Sequence, residues 1–510
     1  MRGKSIMFQG TASSVGKSML CSAVLRIMKQ DGMHVAPFKA QNMALNSYAT
    51  DEGLEMGRAQ VTQAEAAGVT PSVRMNPILL KPTTDRRSQV ILNGKPLGSF
   101  SAADYESLKP MMRDSVHKAY DALEAGFDAV VIEGAGSPAE INLRKGDLVN
   151  MAMAEYADAP VILIGDINPG GVFASLYGTV KLLDESEQRR IKGIIINKFR
   201  GDLKILEPGL AMLEELLHIP VIGVIPWMDI DMEDEDSVTE RFARRGGSGA
   251  VQLAVIRLPH ISNFTDFNLP AAQPDVSMRY VTRASELNDA DVIFLPGTKN
   301  TIEDLIWLKQ QGLADAVVRH ARSGGMVMGI CGGYQILGNR LFDPDHSESS
   351  VPETAGLGLL DFDVTFHADK TTVQSRGSIR CDSGWLATHN GMNVEGYEIH
   401  SGINCFGKNA VPFLWLDGHD VPDGVTNAEE NVLGSYLHGI FDDGIFWKAL
   451  VDHVRQGKGL SQSGTVLTMR EFREKEFERL AGIVRQNLDM QALYAILHGE
   501  EVPCGRWKNE

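Results

Sequence analysis

The chain has 510 residues, more than one hydrophobic core normally serves, so we expect two or three domains. Hydrophobic residues make up 43% and charged residues 23%, which is ordinary for a soluble globular protein. The formal net charge of −17 argues against nucleic acid or an anionic membrane as a partner, because either would need a basic face.

Cysteine usage and the N-terminus favour a cytoplasmic protein. The 5 cysteines are an odd number and show no metal-site spacing, so a reducing compartment fits better than a disulfide framework. The apolar stretch near the N-terminus, residues 6–8, is too short for a signal peptide. No apolar run approaches the ~20 residues of a membrane span. A homo-oligomer is compatible with this composition.

The first motif is a glycine-rich loop between two apolar stretches. Residues 5–8 predict a buried strand, and residues 19–28 are apolar at helical spacing. The loop between them is typical of a P-loop, in which backbone N–H groups surround phosphates, Lys17 reaches the terminal phosphates and the Ser18 hydroxyl binds Mg²⁺. Thr11 occupies the usual first glycine position, so the loop is one residue longer than the common form. The residues predicted to bind ATP here are Gly10, Thr11, Gly16, Lys17 and Ser18.

Short apolar runs then alternate with helical patterns as far as Pro226. Such runs, without polar alternation, predict a parallel sheet that helices cover on both faces. Ligands of these sheets lie beyond the carboxyl ends of the strands. Four predicted strands end on polar side chains, namely Lys39, Glu133, Asp166 and Asn197.

Each of these strand-end residues has a structural alternative. Glu133 and Asp166 are natural Mg²⁺ ligands, although either carboxylate could also cap a helix or lie at the surface. Glu133 ranks first because the glycines after it form a flexible loop at the same edge. Lys39 is either a second phosphate-binding cation or a solvated charge, and Asn197 either binds the adenine base or caps a helix.

Composition changes after Pro226. The acidic stretch 229–236 and the flexible basic stretch 244–249 predict a linker over residues 227–250.

A second α/β unit begins at Val251, and residues 359–407 alternate as antiparallel strands do. The tail from residue 444 is helical, and its apolar stripe predicts packing onto this second unit. The stripe consists of Phe472, Phe477, Leu480, Val484 and Leu488.

Residues 326–338 carry the clearest candidate nucleophile. An apolar run ends in Gly-Ile-Cys331-Gly-Gly and a helix-like stretch follows, which predicts a strand, a sharp turn and a helix. Small neighbours suit the strained backbone that such a turn needs at its centre. The turn would point the N-terminus of the helix at the thiol, which favours the thiolate. The alternative is a structural cysteine buried in a glycine-rich loop.

His438 is the candidate base for Cys331. The two residues are far apart in sequence, and we expect the fold to bring them together. Acyl transfer also needs an oxyanion hole. The backbone N–H groups of Gly332 and of the Gly297 loop are candidates, because both follow strands of the same predicted sheet. The corresponding reaction is hydrolysis of an amide through a thioester.

These motifs resemble known families. Gly-Ile-Cys331-Gly-Gly with a later Tyr-Leu-His438-Gly resembles the triad (class I) glutamine amidotransferases, which usually have Glu where Ile440 stands. This departure is similar to the cobyric and cobyrinic acid amide synthase branch, which lacks that Glu. The P-loop resembles that of dethiobiotin synthetase. Nearly the whole chain resembles the cobyric acid synthase family, with signature-like stretches at residues 37–43, 75–82, 132–137 and 170–175.

The resemblance implies an α/β fold with two catalytic domains. Residues 1–226 would form a dethiobiotin synthetase-like parallel-sheet P-loop domain that binds ATP and a corrinoid. After the linker, residues 251–443 would form a class I glutamine amidotransferase-like α/β domain, with residues 444–510 as a helical extension packed on it. One departure is Asp166-Ile-Asn-Pro169, where the family pattern is Asp-Ile-Asp-Arg.

The implied reaction uses ATP, Mg²⁺ and glutamine. It amidates the b, d, e and g propionate carboxylates of adenosylcobyrinic acid a,c-diamide to give adenosylcobyric acid, in cobalamin biosynthesis. The related a,c-diamide synthase reaction is the nearest alternative, since only the resemblance separates the two. A P-loop switch ATPase without biosynthetic activity is another, but it leaves Cys331 and His438 unexplained. All expected partners are small molecules.

Overall fold

The computed structural model describes residues 4–84, 87–232, 242 and 249–507. Most of the predicted linker over 227–250 therefore lies outside the described residues. The chain forms two compact units. The first contains described residues within 1–43, 56–233 and 473–510, and the second contains those within 44–55 and 234–472.

The secondary structure alternates between strands and helices in both units. The strands are β1 Lys4–Gly10, β2 Val35–Phe38, β3 Gln41–Met43, β4 Ser47–Ala49, β5 Glu55–Gly57, β6 Ile78–Thr84, β7 Arg87–Leu92, β8 Lys95–Ser101, β9 Ala129–Glu133, β10 Val161–Asp166, β11 Ile191–Phe199, β12 Val221–Pro226, β13 Val251–Ile256, β14 Val276–Val281, β15 Val292–Leu295, β16 Met326–Ile330, β17 Arg340–Phe342, β18 Glu353–Ala355, β19 Phe362–Ile379, β20 Asn393–Phe406, β21 Val411–Leu416, β22 Gly424–Thr426 and β23 Val432–Ser435. The helices are α1 Lys17–Gln30, α2 Arg58–Ala67, α3 Ala102–Gly126, α4 Met151–Tyr156, α5 Val172–Leu182, α6 Glu185–Gln188, α7 Leu203–Leu217, α8 Asn268–Ala272, α9 Thr301–Gln310, α10 Leu313–Arg322, α11 Gly332–Leu337, α12 Gly384–Ala387, α13 Ile445–Gly457, α14 Met469–Asn487 and α15 Met490–Leu497.

The first unit is built on a parallel sheet with the strand order β12-β11-β10-β1-β9-β2. Its central strands are buried along their length, as their uninterrupted apolar runs predict. Because all six strands run the same way, their carboxyl ends meet at one edge, where the P-loop begins after β1. A second sheet, β3-β6-β7-β8, belongs to the same unit. The predicted fold class is confirmed.

The C-terminal helices correct one prediction. From residue 473 onward the chain belongs to the first unit, where Leu480, Val484 and Leu488 join the core that α1 lines. Arg26 of α1 forms ion pairs of 2.5 and 2.6 Å with Glu474 and Glu478. The prediction that residues 444–510 pack on the amidotransferase domain is therefore wrong for residues 473–510. An apolar stripe shows that a helix is buried, but it does not identify the surface that buries it.

The second unit has one long mixed sheet. Its parallel part has the order β14-β13-β15-β16-β23, and β22, β21, β19, β17 and β18 extend it, with β20 paired to β19. β19 and β20 run antiparallel, as predicted for residues 359–407. Helix α13 buries Phe446 and Trp447 in the core of this unit. Among the described residues, no helix is both long enough and apolar enough to cross a membrane.

Residues 44–55 give a second correction. The sequence predicts that they belong to the first domain, within residues 1–226, but Ala44–Glu55 belongs to the second unit. Buried Ala49 packs there in a small cluster with Tyr397 and Ile399 of β20. The chain thus leaves the first unit after Met43 and returns to it at Met56. The composition of residues 44–55 does not reveal this change of unit. A short segment that packs on another unit has the same apolar content as a loop that packs on its own unit.

Candidate active sites

The P-loop lies between β1 and α1. Gly16 precedes the helix with a φ of 97°, and a Cβ there would collide with the amide nitrogen of Asn197, so only glycine fits. The Lys17 Nζ donates to the carbonyl oxygens of Ala12, at 2.9 Å, and Gly136, at 3.0 Å. The ammonium therefore lies at the loop, where it can exchange these carbonyl oxygens for phosphate oxygens.

The start of the loop is also fixed by the sheet. The Thr11 N–H donates to the carbonyl of Ile164 in β10 at 3.0 Å. A Cβ on Gly10 would lie 2.5 Å from Val15 Cγ2 and 3.1 Å from Lys17 Nζ. Glycine at this position therefore lets the loop fold tightly over the strand end.

Glu133, at the end of β9, is the centre of a buried polar cluster. Its Oε1 accepts hydrogen bonds from Ser18 Oγ at 2.8 Å and from Lys39 Nζ at 3.0 Å, and its Oε2 accepts one from Gln63 Nε2. Burial alone would raise the pKa of Glu133, but the charge of Lys39 and these hydrogen bonds hold it below its ordinary value. Three predicted site residues therefore meet here. Lys39 is buried rather than solvated, and Gln63, on α2, gave no sequence signal.

Asp166 and Asn197 lie on the other side of the P-loop. Asp166 Oδ2 pairs with Lys198 Nζ at 2.8 Å, and Lys198 also donates to the carbonyl of Ser14 at 2.7 Å. Asn197 Nδ2 donates to the carbonyl of Val15 at 2.7 Å.

The position of Asn197 excludes one of its two predicted roles. It lies within β11, whereas the next helix, α7, begins at Leu203 and is capped by Asp202, so the helix-cap alternative is wrong. Its buried Oδ1 has no hydrogen-bond partner among the described residues. An orphaned acceptor is costly in a buried site, which fits a site that awaits a donor such as the amino group of adenine.

The second site is built on a strained turn. Cys331 has φ 51° and ψ −111° between β16 and α11, which is the strand, turn and helix that the sequence predicts. Such a conformation costs a residue other than glycine about 1–3 kcal/mol. A Cβ on Gly329 would lie 2.6 Å from the Gly333 carbonyl, and a Cβ on Gly333 would overlap the carbonyl of Leu295. The flanking glycines are therefore required by close backbone approach.

His438 follows β23 and hydrogen-bonds to two side chains. Its Nδ1 lies 2.8 Å from Asp266 Oδ2, and Asp266 Oδ1 accepts the Gly439 N–H at 2.8 Å. The side chains of both residues are almost fully buried, at 1% and 2% exposure. The Cys331 thiol is the other side chain that interacts with the His438 imidazole. Burial disfavours the imidazolium, but the charges of Asp266 and Cys331 and hydrogen bonds to both raise the pKa of His438 to about 10.

Asp266 is the site residue that the sequence analysis missed. It lies on the short turn Phe264–Phe267, which follows Asn263 in a left-handed conformation, φ 51°. The usual Glu is replaced by Ile440, so the carboxylate comes from a different segment of the chain. A signal was present, because an acidic residue flanked by aromatic residues is expected to be buried and therefore to need a partner.

The candidate oxyanion groups lie beside this pair. A Cβ on Gly297 would lie 2.9 Å from His438 Cε1, and a Cβ on Gly332 would lie 3.0 Å from the backbone nitrogen of Thr298. The turn at Gly297 is held by a 2.9 Å hydrogen bond from the Ser262 N–H to its carbonyl. The structure therefore brings both predicted glycines to the place where the thiol and the imidazole meet.

A polar network continues from the helix that follows Cys331. The Gln335 Nε2 donates to Tyr436 Oη at 3.3 Å, and its Oε1 accepts from Thr301 Oγ1 at 3.0 Å. The Thr301 N–H donates to Glu348 Oε2 at 3.2 Å. Burial raises the pKa of Glu348 to about 7 and lowers the pKa of Lys299, which also interacts electrostatically with Cys331. Lys299 therefore interacts with the thiol on one side and with the Glu348 carboxylate on the other.

A P-loop on a parallel sheet and a Cys–His–Asp site on a strand-turn-helix elbow, in one chain, define a glutamine-dependent amidotransferase with an ATP-using synthetase domain. Residues 6–237 match the CobQ/CobB/MinD/ParA nucleotide binding domain, and residues 252–446 match the CobB/CobQ-like glutamine amidotransferase domain.

Relatives over the full length are more specific. The chain is 52% identical to the cobyric acid synthase of Alkaliphilus metalliredigens (strain QYMF), over 97% of this chain and 100% of that protein. It is 51% identical to that of Thermoanaerobacter sp. (strain X514), over 96% and 98%, and 48% identical to that of Salmonella agona (strain SL483), over 98% and 99%. The chain belongs to the cobyric acid synthase family, and it is an amidotransferase that forms C–N bonds in cobalamin biosynthesis.

Proposed function

We propose that the enzyme converts adenosylcobyrinic acid a,c-diamide to adenosylcobyric acid by amidating the b, d, e and g propionate carboxylates, in the cytoplasm. The observation that carries this proposal is the 48–52% identity to cobyric acid synthases over nearly the whole chain. The two sites supply the two halves of the chemistry. One activates a carboxylate with ATP, and the other releases ammonia from glutamine.

The P-loop unit would activate the carboxylate. A carboxylate is a poor electrophile at neutral pH, whereas an acyl phosphate is a good one. A propionate oxygen would attack the terminal phosphorus of ATP with loss of ADP, and ammonia would then displace phosphate from the acyl carbon. Lys17 would neutralise charge on the transferring phosphoryl group, Lys39 would act as a second cation, and Asn197 Oδ1 would accept the adenine amino group.

A magnesium ion fits the oxygen donors of this site. The Ser18 hydroxyl and the Glu133 carboxylate are 2.8 Å apart, and oxygen ligands of this kind suit a hard cation. Bound Mg²⁺ would supply charge neutralisation at the phosphates. Asp166 is the third predicted ligand, and it would have to exchange its ion pair with Lys198 for the metal or a metal-bound water.

The elbow site would hydrolyse glutamine. The Cys331 thiolate would attack the amide carbon, while backbone N–H groups at Gly332 and Gly297 would stabilise the oxyanion. His438 would protonate the departing ammonia and then take a proton from the water that hydrolyses the thioester, releasing glutamate. Asp266 would hold the imidazole in its orientation.

The charged groups near the thiol suit the zwitterionic end of glutamine. The Glu348 carboxylate would accept hydrogen bonds from the α-ammonium group, and the Lys299 ammonium would donate hydrogen bonds to the α-carboxylate. Both groups pay a desolvation cost in the free protein, as the directions of their pKa shifts indicate. An ion pair with the substrate would offset part of the desolvation free energy of each group.

The test separates the two nitrogen sources. Cys331→Ala and His438→Ala should lose amidation with glutamine but keep it with high ammonium chloride at mildly alkaline pH, where free ammonia is present. The product is followed by mass spectrometry of the corrinoid after incubation with ATP and Mg²⁺. If Cys331→Ala retains glutamine-driven amidation, the elbow is not the glutaminase. If the a,c-diamide is not converted by the wild-type enzyme, the proposed substrate is wrong.

A further inference from the structure

Residues 44–55 are the part of the N-terminal half that belongs to the second unit. Inside that unit, their contacts converge on the groups that hold Cys331 and His438. The exposed tip of the segment carries Asp51 and Glu52, whereas Ser47, Ala49 and Glu55 are buried. Burial of a carboxylate such as Glu55 is costly unless a specific partner compensates for it.

The first set of contacts reaches His438 through Tyr397. The rings of Tyr48 and Tyr397 are 5.0 Å apart, and the Tyr397 ring stacks on the His438 imidazole at 5.3 Å with an angle of 24°. Tyr397 and His438 also exchange backbone hydrogen bonds of 3.0 and 2.9 Å. Tyr397 therefore contacts Tyr48 with its ring and also stacks on His438, the candidate base.

The second set of contacts reaches the groups beside the base and the thiol. The Ser47 N–H donates to Asn263 Oδ1 at 2.8 Å, and Asn263 begins the turn that carries Asp266. Ala49 packs in one cluster with Tyr397 and Ile399. The carbonyl of Ile399 accepts the Cys331 thiol at 3.6 Å.

The third contact is a buried ion pair. Glu55 Oε2 lies 2.5 Å from Lys370 Nζ, and Ser47 Oγ donates to Glu55 Oε1 at 2.8 Å. The exposures of the Lys370 and Glu55 side chains are 9% and 0%. Lys370 in turn repels Lys299, the partly buried cation that interacts with Cys331. Glu55 therefore compensates the charge of Lys370, which acts on Lys299.

We infer that residues 44–55 are a positioning segment of the glutaminase site, in which Tyr48 fixes the stack that orients His438 and Glu55 fixes Lys370. The inference rests on the proposed glutaminase role of Cys331 and His438. It implies that part of the glutaminase is encoded in the sequence of the synthetase half. Tyr48 and Glu55 would act through Tyr397 and Lys370, so their effect on catalysis is indirect.

The test compares variants of the full-length enzyme. Tyr48→Ala should lower the kcat of glutamine hydrolysis on the order of 10- to 100-fold with little change in KM, because it displaces the base and not the substrate. Tyr48→Phe should restore the rate, since it keeps the ring. Glu55→Gln should also lower the rate, whereas Glu52→Gln, the same charge change at the exposed tip, should not. Ammonium-driven amidation should be unchanged in all four variants.

A direct readout of the thiol completes the experiment. Alkylation of Cys331 by iodoacetamide, followed by peptide mass spectrometry, should slow in Tyr48→Ala and recover in Tyr48→Phe. Wild-type glutaminase rates in both Tyr48→Ala and Glu55→Gln would overturn the inference, and so would equal losses with glutamine and with ammonium. If Cys331→Ala itself retains glutaminase activity, the proposed function fails instead, so the two failures can be told apart.

Discussion

Replacing Asp266 with Asn tests how the missing glutamate of the class I triad is compensated. The change keeps the size of the side chain and removes the charge that faces His438 at 2.8 Å. Raising the pKa of His438 from 6.5 to about 10 corresponds to about 5 kcal/mol of stabilisation of the imidazolium. Asp266 shares this stabilisation with Cys331, so the part that is due to the aspartate charge is lost in the variant. Loss of the correct tautomer of the His438 imidazole should lower the rate further.

We therefore expect the kcat of glutamine hydrolysis to fall by about 10²–10⁴-fold in Asp266→Asn. The assay measures glutamate release, with ammonium-driven amidation as the control for an intact synthetase site. The sign of the pH effect follows from the raised pKa. Asp266 raises the pKa of His438, so in the variant we expect His438 to lose its proton at lower pH and the alkaline limb of the profile to move toward acid. A loss under tenfold with an unmoved alkaline limb would refute this role of Asp266.

Three further predictions concern the first unit. Lys17→Ala should abolish amidation with either nitrogen source, on the order of 10³-fold or more, because a cation at the transferring phosphoryl group is lost; near-normal turnover would contradict the ATP site. Glu133→Gln should weaken the Mg²⁺ dependence of turnover and leave glutamine hydrolysis intact, so an unchanged Mg²⁺ titration would rule out a metal role. Leu480→Ala should destabilise the first unit by about 2–5 kcal/mol, because its side chain is fully buried. In a urea titration, ATP binding should then be lost at lower urea concentration than in the wild type, and an unmoved midpoint would contradict the packing of α14.

Local motifs made much of both sites predictable from the sequence. A P-loop and a cysteine elbow each lie within one strand, one turn and one helix, so short-range steric rules fix their geometry. The strand-end residue Glu133 was found in the same way, because parallel strands place their carboxyl ends at one edge. The meeting of Cys331 and His438 followed from chemical need and not from spacing.

The missed features depend on long-range packing. Asp266 pairs with a histidine 172 residues later, and nothing in its local pattern specifies that partner. Long-range packing also places residues 44–55 in the second unit and residues 473–510 in the first. Apolar periodicity shows that such segments are buried, but many surfaces can satisfy the same pattern.

The position of α14 and α15 has a consequence for how the chain is made. Their apolar side chains, including Leu493 and Ile496, complete the core around α1 and β1, which are translated long before them. Domains of a nascent chain generally fold as units, N-terminal first. Here the first unit must keep part of its core uncovered until α14 and α15 have been synthesised. The second unit is contiguous apart from a short early segment, and almost all of it is synthesised before these helices. We therefore expect it to fold on the ribosome while the older half of the polypeptide waits for α14 and α15.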